Sequence, residues 1–268
     1  TLVKKFYALG VEKLMYGTNM ASNIRLSENQ LPELYRMLPP ICRTLGIAEP
    51  EFYLEMNPMP NAYTFGDTKI FITMTSGLVE MLNEDELKAV IAHECGHILC
   101  RHVLYHNMAN MLINGADLLG ILGLFTAPIK YALLYWQRKS ELSCDRAGSI
   151  ITDAQTVART MVRLAGGPKS ITGSVNIDEW ARQADEYEKI RTDGMWNKAL
   201  QTYAIMGADH PFSAVRVREI LKWEQTPQYR NLKAGLAANI PADGCCPGCN
   251  CRVDESWMFC RNCGAKLK

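Results

Sequence analysis

Apolar residues recur at helical spacing downstream of residue 83. Leu87, Val90, Ile91 and Ile98 share one helix face. In front of them, Asn83-Glu84-Asp85-Glu86 has the form of a capping box, Asn83 accepting from the backbone of Glu86 while Glu86 reaches back. This pattern predicts a helix that opens just after Asn83. Upstream, the stretches around 51–56 and 69–74 are rich in strand formers and predict strands. Residues 1–48 predict two helices, the second opened by the box Ser27-Glu28-Asn29-Gln30 and interrupted at Pro39-Pro40. After Asp153 helical patterns return, including Ile177 to Ile190 and Ala214 to Trp223, with Gly166-Gly167-Pro168 as a breaker. The chain therefore predicts an α+β fold, mainly helical, with a small sheet beside the helix that follows Asn83.

The chemistry begins inside that helix, at His93-Glu94-Cys95-Gly96-His97. Residues four apart lie one turn above each other, so both imidazoles can reach one metal, while Glu94 between them points at a water on that metal. The plainer alternative is a pair of core histidines satisfied by hydrogen bonds. A catalytic zinc keeps three protein ligands and one open position. Between Trp136 and Gly148, Glu141 and Asp145 stand four apart on one helical face. One can bind metal while the other braces a ligating imidazole through its second N–H. Alternatively, both pair with Arg138, Lys139 or Arg146 on a solvated face.

Read together, "TSGLVEMLNEDELKAVIAHECGHILCRH", "YALLYWQRKSELSCDRAG" and "HPFSAVR" resemble the gluzincin metallopeptidases, the family of CAAX prenyl-protein endopeptidases and HtpX-type proteases, metallopeptidase family forty-eight. The likeness covers roughly residues 20–225, with three separated blocks in the expected order. It implies a zinc endopeptidase with His93, His97 and Glu141 as ligands, Glu94 as catalytic base for attack of zinc-bound water, and Asp145 as the carboxylate behind a ligand.

The family pattern also places His210 and Arg216 near the metal, where they help hold substrate and the tetrahedral intermediate. Attack on a peptide carbonyl develops an oxyanion, and a cation or imidazole N–H placed there favours the transition state over the ground state. As structure alone, Pro211 suits a helix start and Arg216 a surface position beside Arg218 and Glu219. The segment holding Asn61, Ala62 and Tyr63 resembles the family's edge strand, which binds extended substrate as an added strand. An ordinary turn asparagine between prolines is the alternative for Asn61.

Ten cysteines need explaining. Cys246-Pro247-Gly248-Cys249 and Cys260-Arg261-Asn262-Cys263 form two C-x-x-C pairs in a chain end too short for a core of its own. Thiolates so spaced hold a tetrahedral structural zinc whose binding energy replaces the missing core. The segment resembles a short zinc ribbon, with Cys245 and Cys251 as alternative ligands. Cys42, Cys95, Cys100 and Cys144 are scattered singly, which fits a reducing compartment better than a disulfide framework. The expected organisation is a metallopeptidase domain at 1–235, a linker at 236–244 and a zinc ribbon at 245–268.

A formal charge of +1 gives no global drive toward nucleic acid or an anionic membrane, and the ribbon's near-balanced charge offers no basic footprint for nucleic acid, so none is expected as a partner. Leu118 to Ile129 is uncharged for 12 residues, short of the ~20 that a membrane span needs. HtpX-type relatives carry a transmembrane hairpin in this interval, so membrane contact through 107–136 stays open. No signal peptide is visible at the start, and a beginning at Thr1 leaves an upstream anchor open. A cytoplasmic or membrane-associated peptidase with one catalytic and one structural Zn2+, acting on peptide or protein substrates, is the expectation. The alternative is a catalytically silent peptidase fold that binds a protein partner through its ribbon. An intact Glu94 favours catalysis.

Overall fold

Strand β4 (Phe71–Thr75) is buried at every position and forms the centre of a four-stranded mixed sheet. It pairs in parallel with β2 (Glu51–Glu55) and antiparallel with β3 (Ala62–Phe65), while the short β1 (Ile24–Arg25) extends the far side of β2. The order β1-β2-β4-β3 leaves β3 at an edge. Residues of β4 alternate between two apolar layers. Ile72 and Met74 join Phe52, Leu78, Leu87, Ile91 and Cys95 in the core. On the other face Phe71 stacks against Tyr16 and Tyr53, and Thr73 Oγ1 donates to Asn19 Oδ1 at 3.1 Å. Tyr16 and Asn19 belong to α1 (Val11–Ser22), so helices cover both faces of the sheet.

The computed structural model describes residues 11–103, 106, 123–192, 212–239 and 258. Two compact units divide the chain, Thr1–Thr226 and Pro227–Lys268. In the first, α2 (Pro32–Tyr35) and α3 (Leu38–Leu45) precede β2; α4 (Ser76–Met81) and α5 (Glu84–Leu99) follow β4. Then come α6 (Gly123–Ile151), α7 (Ala154–Gly166), α8 (Lys169–Thr172), α9 (Ile177–Thr192) and α10 (Ser213–Glu224). In the second, the described backbone includes α11 (Pro227–Asn239), so the expected linker at 236–244 begins in helical residues. Residues 240–244 and Cys246, Cys249, Cys260 and Cys263 lie outside the described residues, as do 107–122 of the 107–136 segment. Among the described residues no helix is long and apolar enough to cross a membrane.

The box at Asn83 forms as predicted: Asn83 Oδ1 accepts from Glu86 N at 2.9 Å and Asn83 N donates to Glu86 Oε2 at 3.0 Å. The box at Ser27 does not. Ser27 and Gln30 bond each other through their backbones in a tight turn, and Leu31, with a left-handed φ of 52°, enters a helix begun by Pro32. A residue before proline is pushed out of the right-handed helical region, which moves the start past Gln30. The helical path is interrupted just ahead of Pro39-Pro40: it stops at Tyr35 and restarts at Leu38, and both prolines stand in the first turn of α3, where a missing N–H costs no hydrogen bond.

Helices α5 and α6 approach closely at two glycines. A Cβ on Gly96 would lie 3.0 Å from Cys144 Cα and 3.1 Å from Ala147 Cβ; one on Gly148 would lie 3.1 Å from the Ala89 carbonyl oxygen. A buried ion pair, Glu86 to Arg163 at 3.3 Å, fastens the start of α5 to α7.

Candidate metal centre

The close pass of α5 over α6 sets two imidazoles against one carboxylate. His93 Nε2 lies 3.4 Å from Glu141 Oε2, and His97 Nε2 lies 3.3 Å from Glu141 Oε1. One turn further along α6, Asp145 Oδ1 accepts from His93 Nδ1 at 3.0 Å, which fixes that ring with its second nitrogen toward Glu141. Helix α10 delivers Arg216 from behind: Nε donates to Asp145 Oδ2 at 2.8 Å and Nη2 to Asp145 Oδ1 at 2.6 Å, while Nη1 sits 3.6 Å from Glu141 Oε2. Glu141 and Asp145 are each 2% exposed. The solvated pairing of these carboxylates with neighbouring cations therefore does not describe them.

Charge in this cluster is arranged for a cation. Burial alone would lower the His93 imidazole, but its hydrogen bonds to Asp145 and Glu141, with their charges, push it up to about 10. Burial would raise the Asp145 carboxyl, yet the Arg216 guanidinium and the His93 bond hold it below the usual carboxylate range. The space between the two Nε2 atoms and Glu141 thus favours positive charge, and its nitrogen and carboxylate donors suit zinc. Ligand atoms of His93, His97 and Cys144, and separately of His97, His106 and Glu141, lie within 4.8 Å of one another.

Glu94 is buried beside the imidazoles, and its carboxylate is oriented from the sheet: Thr64 Oγ1, on edge strand β3, donates to Glu94 Oε2 at 2.6 Å. Asn61 precedes that strand, pinned by Asn61 N to Thr75 Oγ1 at 2.9 Å and by Thr75 N to the Asn61 carbonyl at 3.0 Å. Two cavities flank the site. One of about 250 Å³ has walls from Val90, Val157, Met161 and Leu164. The other, about 270 Å³, runs along Tyr63, Thr64 and Phe65 to Val103 and His106. Both are lined by Asn61, Ala62, His93, Glu94 and Glu141, so the expected edge segment and the expected metal residues share one cleft.

Of the residues expected from sequence, His93, Glu94, His97, Glu141, Asp145, Arg216, Asn61, Ala62 and Tyr63 meet here, while His210 lies outside the described residues. The guanidinium of Arg216, expected at an oxyanion, is taken up by Asp145 and Glu141. Sequence reasoning missed Thr64, His102, His106 and Cys144. Four of the five histidines fall between 93 and 106, a concentration that could have flagged two of them. His102 Nδ1 lies 3.6 Å from Cys144 Sγ, and burial together with the neighbouring His97 pushes its imidazole down to about 4.

A family model described as Peptidase family M48 matches residues 28–224. The plastoglobule-localized metallopeptidase 48 of Arabidopsis thaliana chloroplasts is 35% identical over 227 residues, 82% of this chain and 65% of its own length. Homologs of the protease HtpX are 29% identical over 124 residues in a Sulfurihydrogenibium species, covering 46% of this chain and 40% of that one. In Trichormus variabilis the corresponding values are 26% over 227 residues, 75% and 76%. The chain thus spans less than two thirds of the length of the first two relatives. A crystal structure of Ste24p from S. mikatae superposes with a TM-score of 0.49 at 15% identity, over 82% of this chain and 56% of that one.

Proposed function

The chain belongs to peptidase family M48, and from that premise we propose that it is a zinc-dependent metalloendopeptidase of the gluzincin kind, with His93, His97 and Glu141 holding the zinc and Glu94 as general base. One observation carries the reading. Two imidazole nitrogens and both oxygens of a buried carboxylate face one cation-favouring gap, with a second carboxylate alongside on the same helix. Zinc held there would supply Lewis acidity toward a peptide carbonyl and would ease removal of a proton from water.

The remaining roles belong to the chain's own groups. Thr64 donates to Glu94 Oε2 and so orients the carboxylate that accepts the proton of the attacking water and returns it to the leaving amine. Asp145 keeps the His93 ring in its ligating tautomer. Arg216 balances Asp145 and Glu141, a positioning role in place of direct contact with an oxyanion. His210 is left as the group for the developing oxyanion. Substrate binds extended along β3, with main-chain hydrogen bonds near Asn61, Ala62 and Tyr63. The walls of Val90, Val157, Met161 and Leu164 favour an apolar side chain beside the scissile bond.

Cys246, Cys249, Cys260 and Cys263 hold a second, structural zinc in a ribbon that serves as a recognition surface for a protein. The purified chain should then bind two zinc ions, falling to one when Cys246→Ser is combined with Cys249→Ser. Unchanged metal content in that double variant would remove the ribbon from the proposal.

Glu94→Gln is the main test. Gln keeps the shape and loses the base, so peptide turnover should fall by more than about tenfold while zinc content is retained. A pure preparation that kept full turnover would overturn the catalytic assignment.

A further inference from the structure

Resting on the zinc reading above, we infer that His106 is a fourth protein ligand of the same metal, so that the resting centre is closed by His93, His97, His106 and Glu141. Catalytic zinc sites keep one position for water, whereas four protein ligands make a saturated tetrahedral set. A substrate or water would have to displace His106 before chemistry begins, which makes the enzyme latent by construction.

Three observations converge on this residue. A ring nitrogen of His106, one of His97 and an oxygen of Glu141 lie within 4.8 Å of one another. Ligands of one tetrahedral ion, each about 2.1 Å from it, are about 3.4 Å apart, so these three atoms draw together by up to about 1.4 Å to share a metal, and His93 Nε2, 3.4 Å from Glu141 Oε2, joins them through that carboxylate. The ring is also placed from two sides, with its centroid 5.2 Å from that of His97 and 5.1 Å from that of Trp136. Finally, the ring has a fixed polar partner: His106 Nε2 lies 2.6 Å from Ser140 Oγ, which also lies 2.7 Å from the Gln137 carbonyl oxygen. With the Ser140 proton on that carbonyl, His106 donates through Nε2–H and its lone pair resides on Nδ1. An imidazole that donates one N–H to a fixed acceptor and ligates through the other nitrogen is the usual arrangement at a metal.

Cys144 is the competing fourth ligand, since its Sγ belongs with His93 and His97 in a second ligand-spaced group. It approaches His102 instead, at 3.6 Å.

The test reads metal directly. Zinc affinity of the full chain is measured by chelator competition, and the visible spectrum of the cobalt-loaded protein is recorded as a difference against His93→Ala, which isolates this centre from any cysteine site. For His106→Ala and His106→Gln, zinc affinity should fall by more than the roughly 10- to 100-fold that loss of a ligand's outer partner costs, and the cobalt bands should change, with the thermal melt confirming a folded chain. Ser140→Ala, which removes only the support of the ring, should weaken zinc in the same direction by less. Wild-type affinity and spectrum in both His106 variants and in Ser140→Ala would overturn the assignment, as would a loss seen in Cys144→Ser alone. Should His93→Ala itself retain zinc at this centre, the zinc reading fails, and that outcome is distinct from the failure of His106.

Discussion

Arg216 and Arg218 stand two residues apart on α10, and each meets acidic side chains, yet their settings differ. The partners of Arg216, Asp145 and Glu141, are 2% exposed; the side chains around Arg218, Asp185, Glu188 and Glu219, are between 39% and 53% exposed. A charge taken wholly out of water must be matched by a fixed countercharge, or the burial is prohibitive. At the surface the same chemical pair is solvated in either state and contributes little. The buried pair is thus where position is enforced, and it is the one that leads to the candidate metal centre.

Arg216→Ala should break the comparison open most forcefully. Without the guanidinium, two buried carboxylates are left with the His93 imidazole against them and one countercharge too few, at a cost of about 3–5 kcal/mol in urea unfolding. Zinc would partly restore stability, because a divalent cation compensates the same carboxylates. An Arg216→Ala melt that matches wild type would show that the cluster is not charge-balanced as described.

Glu12 sharpens the point with a buried carboxylate held by dipoles. Its Oε1 accepts from the backbone N–H of Asp67, Thr68 and Lys69 at 2.7–2.9 Å, which fastens α1 to the turn between β3 and β4. Burial would raise this carboxyl, but those amide donors together hold it below its ordinary 4.5. Its stabilising contribution is therefore complete above that value and is lost as pH falls through the lowered one. Glu12→Gln should cost about 1–3 kcal/mol at neutral pH, and the gap to wild type should narrow as pH drops below 4.5. A gap that widened in acid would reverse the assigned shift.

At the small end, Arg218→Ala should cost about 1 kcal/mol or less, with a penalty that shrinks in high salt. The two arginine side chains are 10% and 12% exposed, so a salt-independent loss comparable to that of Arg216→Ala would mean that the exposure of their partners does not separate them.

Local chemistry made part of this legible from sequence. Asn83 and Glu86 announce a helix start because both halves of the box lie within one turn, and His93 with His97 needs only that helix to face one way. Ser27 misled for a related reason: its box competes with Pro32, whose constraint on Leu31 is equally local but stronger. Spacing could not separate Glu141 from Asp145, since both occupy one face of α6. The difference between them in the structure comes from Arg216, which lies 71 residues beyond Asp145 and reaches it only through packing of α10. Thr64, 30 residues before Glu94, is silent in sequence for the same reason: only the pairing of β3 with β4 brings it to the Glu94 carboxylate.

Gly96 and Gly148 carry a consequence beyond packing. The separation of α5 and α6 fixes how far Glu141 stands from His93 and His97, so the bare Cα at residue 96 acts as a gauge for ionic radius. A methyl there would meet Cys144 and Ala147 at 3.0–3.1 Å and push the helices apart by a few tenths of an ångström. That increment is about the difference between zinc–oxygen and calcium–oxygen bond lengths, ~2.1 against ~2.4 Å. On the zinc reading proposed above, the missing side chain at Gly96 would thus help to choose the element, by holding the gap to the size of a small cation.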